Sequence, residues 1–161
     1  MDGILCLEQA ICSHSLLKAT DDAVVKKVCS FIRIDESPGL INDYIRQQVE
    51  AEASMVYLTN KYESLHRRMT QRSNERKAGR FLELGEKNDE GYKWTVQAKE
   101  KWILATDAKY QLQLENIAEL DGLVSMLRGL SAIVFRRDSK LEQLSINYRQ
   151  EMRTDKGSSG Y

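Results

Sequence analysis

A chain of 161 residues, 42% hydrophobic and 30% charged with a single proline, has one domain's length but too little apolar material for a thick globular core. Lys plus Arg and Asp plus Glu stand at 24 each, so no global field directs the chain to nucleic acid or to an acidic membrane surface. Long stretches without turn residues predict an all-α fold of extended helices whose apolar stripes need partners.

Residues 2–19 place Ile4, Leu5, Leu7, Ile11, Leu16 and Leu17 at spacings that suit a short amphipathic helix. Thr20-Asp21-Asp22 offers an N-cap for a second helix, AVVKKVCSFIRI. DESPGL closes this unit, since Pro38 disfavours helix in the residue before it and Gly39 adds a turn. Residues 1–38 are therefore expected to form an N-terminal helical arm. It lacks the basic region and small-residue cleavage site of a signal peptide, and no apolar run reaches the ~18 residues of a membrane span, which points to the cytosol. Its cysteines, Cys6, Cys12 and Cys29, are odd in number and lack CxxC spacing, so neither a disulfide framework nor a zinc module is indicated. With His14 they make four nominal ligands, but the apolar company of Cys6 and Cys29 favours buried small hydrophobes and no metal.

From Leu40 to about Leu84 there is no proline and one glycine, Gly79, while Ile41, Ile45, Val49, Val56, Tyr62, Leu65 and Met69 recur at helical spacings. One long helix is predicted, which at ~1.5 Å per residue extends ~65 Å and needs a partner to cover its stripe. LGEKNDEGYKW reads as a loop, and Thr95 caps a short helix near 95–105. Asp107 then caps a last helix whose seam runs through Tyr110, Leu114, Ile117, Leu120, Val124, Leu127, Val134, Leu141, Leu144 and Tyr148. Leu123, Leu130 and Ile133 widen that seam beyond two-helix packing. The expected architecture is a long antiparallel hairpin over 39–153, with the arm at one side and a flexible tail at 154–161. Arg136, Arg137 and Asp138 interrupt the last seam, with Asp138 at an expected apolar position. Buried charge needs a partner, so this interruption is expected at a water-filled opening or across a subunit boundary.

No catalytic constellation stands out. His14 and His66 neighbour no nucleophile motif, and neither a GxxxxGK[ST] loop nor HExxH occurs, so a non-enzymatic protein without cofactor is expected. Charge is patterned locally: net −2, +2, −3 and +3 over residues 1–40, 41–85, 86–122 and 123–161. HRRMTQRSNERKAGR holds Arg67, Arg68, Arg72, Arg76, Lys77 and Arg80 against Glu75 alone. The i,i+4 series 68, 72, 76, 80 reads as one basic face, and arginine's planar fork suits phosphate. Lys93 and Trp94, followed by Lys99, Lys101 and Trp102, interleave cations with aromatics, as single-strand binding requires. The bland alternatives are a solvated face and a tryptophan staple at the hairpin tip.

The succession NERKAGRFLEL at the end of a long helix, a loop, a short helix before ATDAKYQ, and a last helix carrying LRGLSAIVFRRDSKLEQLSINYR resembles the UvsY-like recombination mediators of phages and related small phage or plasmid proteins over residues 45–153. The resemblance implies a ring-like homo-oligomer, in the host cytoplasm, that helps load a RecA-type recombinase onto single-stranded DNA coated by a single-strand-binding protein. It implies DNA contacts at Arg72, Arg76, Lys77 and Arg80, with Lys93 beside them, and oligomerisation through the C-terminal helix. The candidate nucleic-acid residues are thus Arg67, Arg68, Arg72, Arg76, Lys77, Arg80, Lys93 and Trp94. The candidate subunit contacts are Leu130, Val134, Leu141, Leu144 and Tyr148. Residues 1–40 have no counterpart in the resemblance. A coiled-coil adaptor or virion component that never touches nucleic acid fits the long helices and zero net charge as well.

Overall fold

The computed structural model describes residues 3–33, 40–86 and 91–158. They form five helices and no strand: α1 Gly3–Cys12, α2 Ala19–Ile32, α3 Ile41–Glu83, α4 Val96–Thr106 and α5 Ala108–Ser158. The chain is all-α. The turn expected at Pro38-Gly39, the middle of the expected loop at 87–90, and the last tail residues, 159–161, lie outside the described residues. Helix α5 continues through Ser158, past the expected start of the tail at 154.

The N-terminal pair is tied by a turn in which the Ser13 amide donates to Gln9, and the Leu16 amide donates to His14 Nδ1. Helix α2 starts at Ala19, four residues before the Ala23 at which the sequence places its beginning. Lys18 is its extended N-cap and makes no side-chain cap, while the amides of Asp21 and Asp22 both donate to the Lys18 carbonyl. Thr20-Asp21-Asp22 therefore occupies the first turn, where two carboxylates complement the helix dipole instead of capping it.

Contacts divide the chain into two compact units: Met1–Asn60 with Leu123–Tyr161, and Lys61–Gly122. The N-terminal helices thus share a compact unit with the first part of α3 and the later part of α5.

In the first unit α3 buries Ile41, Tyr44, Gln48, Ala51, Met55 and Leu58, alternating steps of three and four. Helix α5 buries Leu123, Leu127, Leu130, Val134, Arg137 and Leu141 in the same rhythm. Such a repeat keeps one narrow stripe of each helix on the shared seam. The two helices of the seam run antiparallel. Gln48 donates to the Val134 carbonyl at 2.7 Å, and further along α3 Thr59 meets Ser131, earlier on α5, at 3.2 Å. Ile11, Val25, Val28, Cys29 and Phe31 of α1 and α2 complete this core.

The interruption of the seam is resolved inside the chain. The seam residue is Arg137, 7% exposed, and not Asp138. Its guanidinium lies 4.5 Å from the centre of the Phe31 ring and donates to the Ile32 carbonyl. That carbonyl belongs to the last turn of α2, where carbonyls have no helical partner and the dipole favours a cation. Neither an opening nor a second subunit is needed to account for the charge.

In the second unit the helix ends are set by local chemistry. Thr95 Oγ1 accepts from the Ala98 amide at 3.1 Å, capping α4. Asp107 Oδ1 accepts from the Tyr110 amide at 3.1 Å, capping α5. Helix α3 stops where Gly85 turns to φ +62°, a left-handed conformation glycine adopts without Cβ strain. Lys99 of α4 donates to the Phe81 carbonyl at 3.1 Å and also to that of Gly85, so a side chain from the next helix closes this terminus.

Among the described residues, only Tyr62, Ile103 and Leu120 are buried apolar side chains of the second unit. Beyond Met69 the inward positions of α3 become polar, with Ser73 buried and Arg76 bonded to Asp107. Here too α3 and α5 run antiparallel, since His66 approaches Asp121 at 4.0 Å while Arg76, later on α3, reaches Asp107, earlier on α5.

Candidate nucleic-acid interface

The basic run from Arg67 to Arg80 lies wholly on α3 within the second unit. At ~100° per residue, each i,i+4 step turns about 40° around the axis, so three steps carry Arg80 about 120° away from Arg68. The four arginines therefore do not share one face, as the spacing alone suggests. The series winds from solvent onto the inward side, and the residues separate into two groups.

Arg67, Arg68 and Arg72 form the outer group and are exposed. Arg67 approaches Glu63 at 3.4 Å, a surface pair of small energetic weight. Arg68 and Arg72 make no ion pair among the described residues.

Arg76, Lys77 and Arg80 form the inner group, each held by a carboxylate. Arg76 meets Asp107 with both arms of its fork, Nε to Oδ2 at 2.8 Å and Nη2 to Oδ1 at 2.7 Å. Asp107 is 5% exposed, and its Oδ2 also lies 3.5 Å from Arg80 Nε. Arg80 further pairs with Glu83 and stands 5.7 Å from the centre of the Trp102 ring. Lys77 donates to Glu100 at 2.6 Å, and both Lys77 and Lys99 sit over the Phe81 ring, at 5.8 and 5.6 Å.

Electrostatics follow this geometry. The Arg76 hydrogen bonds hold the Asp107 carboxyl below the usual carboxylate range against the opposing cost of desolvation, with help from the Tyr110 amide and Arg80. The same bond raises Arg76, and the Glu100 bond raises Lys77. These three cations fasten α3 to α4 and to the start of α5.

Trp94 is half-buried, edge-on to Trp102 at 6.5 Å and 66°, so the two rings staple the segment before α4 to α4 itself. Lys93 is exposed beside it. Of the eight candidate residues, then, Arg68, Arg72 and Lys93 are exposed without an ion pair among the described residues. Arg67 is lightly paired, and Arg76, Lys77, Arg80 and Trp94 have structural work.

The candidate subunit contacts divide likewise. Leu130, Val134 and Leu141 lie in the chain's own seam, beyond reach of another copy unless α3 and α5 part. Leu144 is half-buried, and Tyr148 is exposed. Ile45, Val49 and Val56, which the sequence places in the covered stripe of α3, are instead exposed on one side of that helix, because the buried seam runs through Ile41, Tyr44, Gln48, Ala51, Met55 and Leu58; Phe135 of α5 is exposed as well.

Sequence reasoning missed two structural roles. Asp107 was readable as a helix cap but not as the anchor of Arg76, 31 positions away. Lys99 gave no sign that it closes α3. At the cysteines, burial and a hydrogen bond to Asp22 push the Cys12 thiol up to about 12, and burial pushes Cys29 up to about 11. Among the described residues no three His, Cys, Asp or Glu side chains converge as metal ligands, and no helix is long and apolar enough to cross a membrane.

No family model, curated protein or solved structure matches this chain.

Proposed function

We propose that this chain is a non-enzymatic, oligomeric recombination mediator that binds single-stranded DNA and assists the loading of a RecA-type recombinase in the host cytoplasm. The observation that carries the reading is the pair Arg68 and Arg72, one helical turn apart and exposed, with no carboxylate claiming either among the described residues. Side chains at that spacing start about 5–6 Å apart, so two guanidinium forks can grip neighbouring phosphates of a flexible strand. Arg67 and Lys93 extend the basic surface. The recombinase, the single-strand-binding protein and the ring-like assembly enter through the resemblance over residues 45–153.

The test is a fluorescence-anisotropy titration of a labelled oligo-dT across a salt series. Wild type is expected to bind with a steep salt dependence. Arg68→Ala with Arg72→Ala is expected to remove two phosphate contacts, and on single strands each contact is worth about 0.7 in the slope of log K against log salt, so the slope flattens by about 1.4. An unchanged slope removes these arginines from the interface.

A second reading is favoured by a separate observation. Ile45, Val49 and Val56 recur at four and seven residues and lie exposed on α3, opposite to the usual fate of such a stripe. A helical adaptor or virion component that meets another protein through this side needs no nucleic acid, and it predicts no salt-dependent oligonucleotide signal at micromolar protein.

A further inference from the structure

The inner cations present a paradox. Arg76, Lys77, Arg80 and Lys99 gather within one short stretch of α3 and α4, yet each is already engaged, by Asp107, Glu100 and Glu83 and by two carbonyls. Resting on the single-strand reading above, we propose that Asp107 is an internal competitor for the phosphodiester backbone, a carboxylate latch that masks Arg76 and Arg80 until a phosphate displaces it.

The geometry of the latch is that of an anion site with the anion supplied from within. A bidentate carboxylate across Nε and Nη2 of Arg76 uses the same fork edge that a phosphate would take. Arg80 Nε lies 3.5 Å from the same Oδ2, an ion pair without a hydrogen bond, so one carboxylate already stands between two arginines one turn apart and leaves a buried Arg80 donor unsatisfied. The Arg76 and Arg80 side chains are each about one-third exposed, which leaves an approach from solvent. The outer pair, Arg68 and Arg72, precedes them on the same helix, so a strand held there is delivered to the latch.

Release is eased by the construction of this unit. Its described apolar core is small, with Ile103 the one fully buried apolar side chain of α4 among the described residues, so ion pairs carry much of the α3–α4 contact. The substitution that removes the latch also spares the helix cap, because asparagine caps a helix as well as aspartate does. Both tryptophans of the chain lie in this unit, and one of them, Trp102, has Arg80 over its ring. Intrinsic fluorescence therefore reports whether the latch is closed.

The experiment compares full-length wild type with Asp107→Asn, using labelled oligo-dT and, separately, inorganic triphosphate with tryptophan fluorescence as readout. Asp107→Asn is expected to bind oligo-dT about tenfold more tightly at moderate salt. Its salt slope is expected to steepen by about 1.4, two further phosphate contacts at about 0.7 each. Triphosphate is expected to shift wild-type fluorescence toward that of the variant. Equal or weaker oligonucleotide binding by an Asp107→Asn protein of wild-type helicity overturns the latch while leaving the single-strand reading intact. Absence of oligonucleotide binding by wild type together with tight binding by Asp107→Asn upholds the latch and confines DNA binding to the released state. If neither protein binds, both proposals fall. Should Asp107→Asn lose helicity, Asp107→Ser serves instead: serine also caps a helix and removes the carboxylate from Arg76 and Arg80, so the same steepening of about 1.4 is expected, and an unchanged slope overturns the proposal.

Discussion

Replacing Arg137 decides whether the charged break in the last seam is an internal cap or a subunit contact. The guanidinium contributes a charge-assisted hydrogen bond to the Ile32 carbonyl, about 1.5–3 kcal/mol, and a cation–π contact with Phe31 at 4.5 Å, about 0.5–2 kcal/mol. Against these stands the desolvation of a nearly buried cation, which methionine of similar length recovers. The net expected loss for Arg137→Met is about 2–3 kcal/mol, most of it the cost of leaving a last-turn carbonyl unpaired. Arg137→Lys keeps the charge but neither the planar stack nor the fork, and is expected to lose about half as much. Urea unfolding followed by circular dichroism measures this directly: at a slope of about 2 kcal/mol per molar, the methionine variant should unfold about 1–1.5 M earlier. Light scattering on the same samples should show an unchanged assembly in native buffer. A midpoint within about 0.3 M of wild type, or a smaller particle with the midpoint held, would refute the cap and place Arg137 between subunits.

Two further outcomes follow from the same geometry. Leu141, 1% exposed in the α3–α5 seam, is expected to cost about 2–5 kcal/mol when cut to alanine, and Leu141→Asp with Leu144→Asp should lose helicity together with any assembly; a double variant that stays fully helical while its particle shrinks in light scattering would show that these leucines serve subunit contact. The depressed Asp107 carboxyl should stabilise the second unit fully above the unfolded carboxylate range near 3.9, and that contribution should fade only as pH drops through the lower folded value. Tryptophan fluorescence should therefore hold flat from pH 7 to about 4.5 and change below it, whereas a transition centred near pH 6 would mean that another group holds α4 in place.

What the sequence made legible is what short-range chemistry controls. The 43-residue span of α3 needed only unbroken helical spacing, and the caps at Thr95 and Asp107 only a side-chain oxygen three residues from the amide it serves. The errors arise where a position's meaning depends on its partner. Two acidic residues look the same as a cap or as first-turn charges, and only the Lys18 carbonyl distinguishes them for α2. In the last seam, counting from Val134 to Leu141 leaves either Arg137 or Asp138 inside. The choice falls to Arg137 because Phe31 and the end of α2, more than 100 positions earlier, receive it.

The basic run shows the same limit with more at stake for function. Spacing reports angle on the helix but not what faces it, and 40° per step suffices to carry an arginine from solvent to a carboxylate. Where the seam of α3 keeps strictly to threes and fours, from Ile41 to Leu58, it is apolar but for Gln48, whose amide bonds the Val134 carbonyl of the partner helix. Past Met69 the inward positions belong to Ser73 and Arg76, and cohesion passes from hydrophobic burial, which no solute competes for, to ion pairs, which anions and salt do compete for. A helix that changes its adhesive midway can be firm at one end and responsive at the other. Here the responsive end is also the one that carries the arginines suited to phosphate.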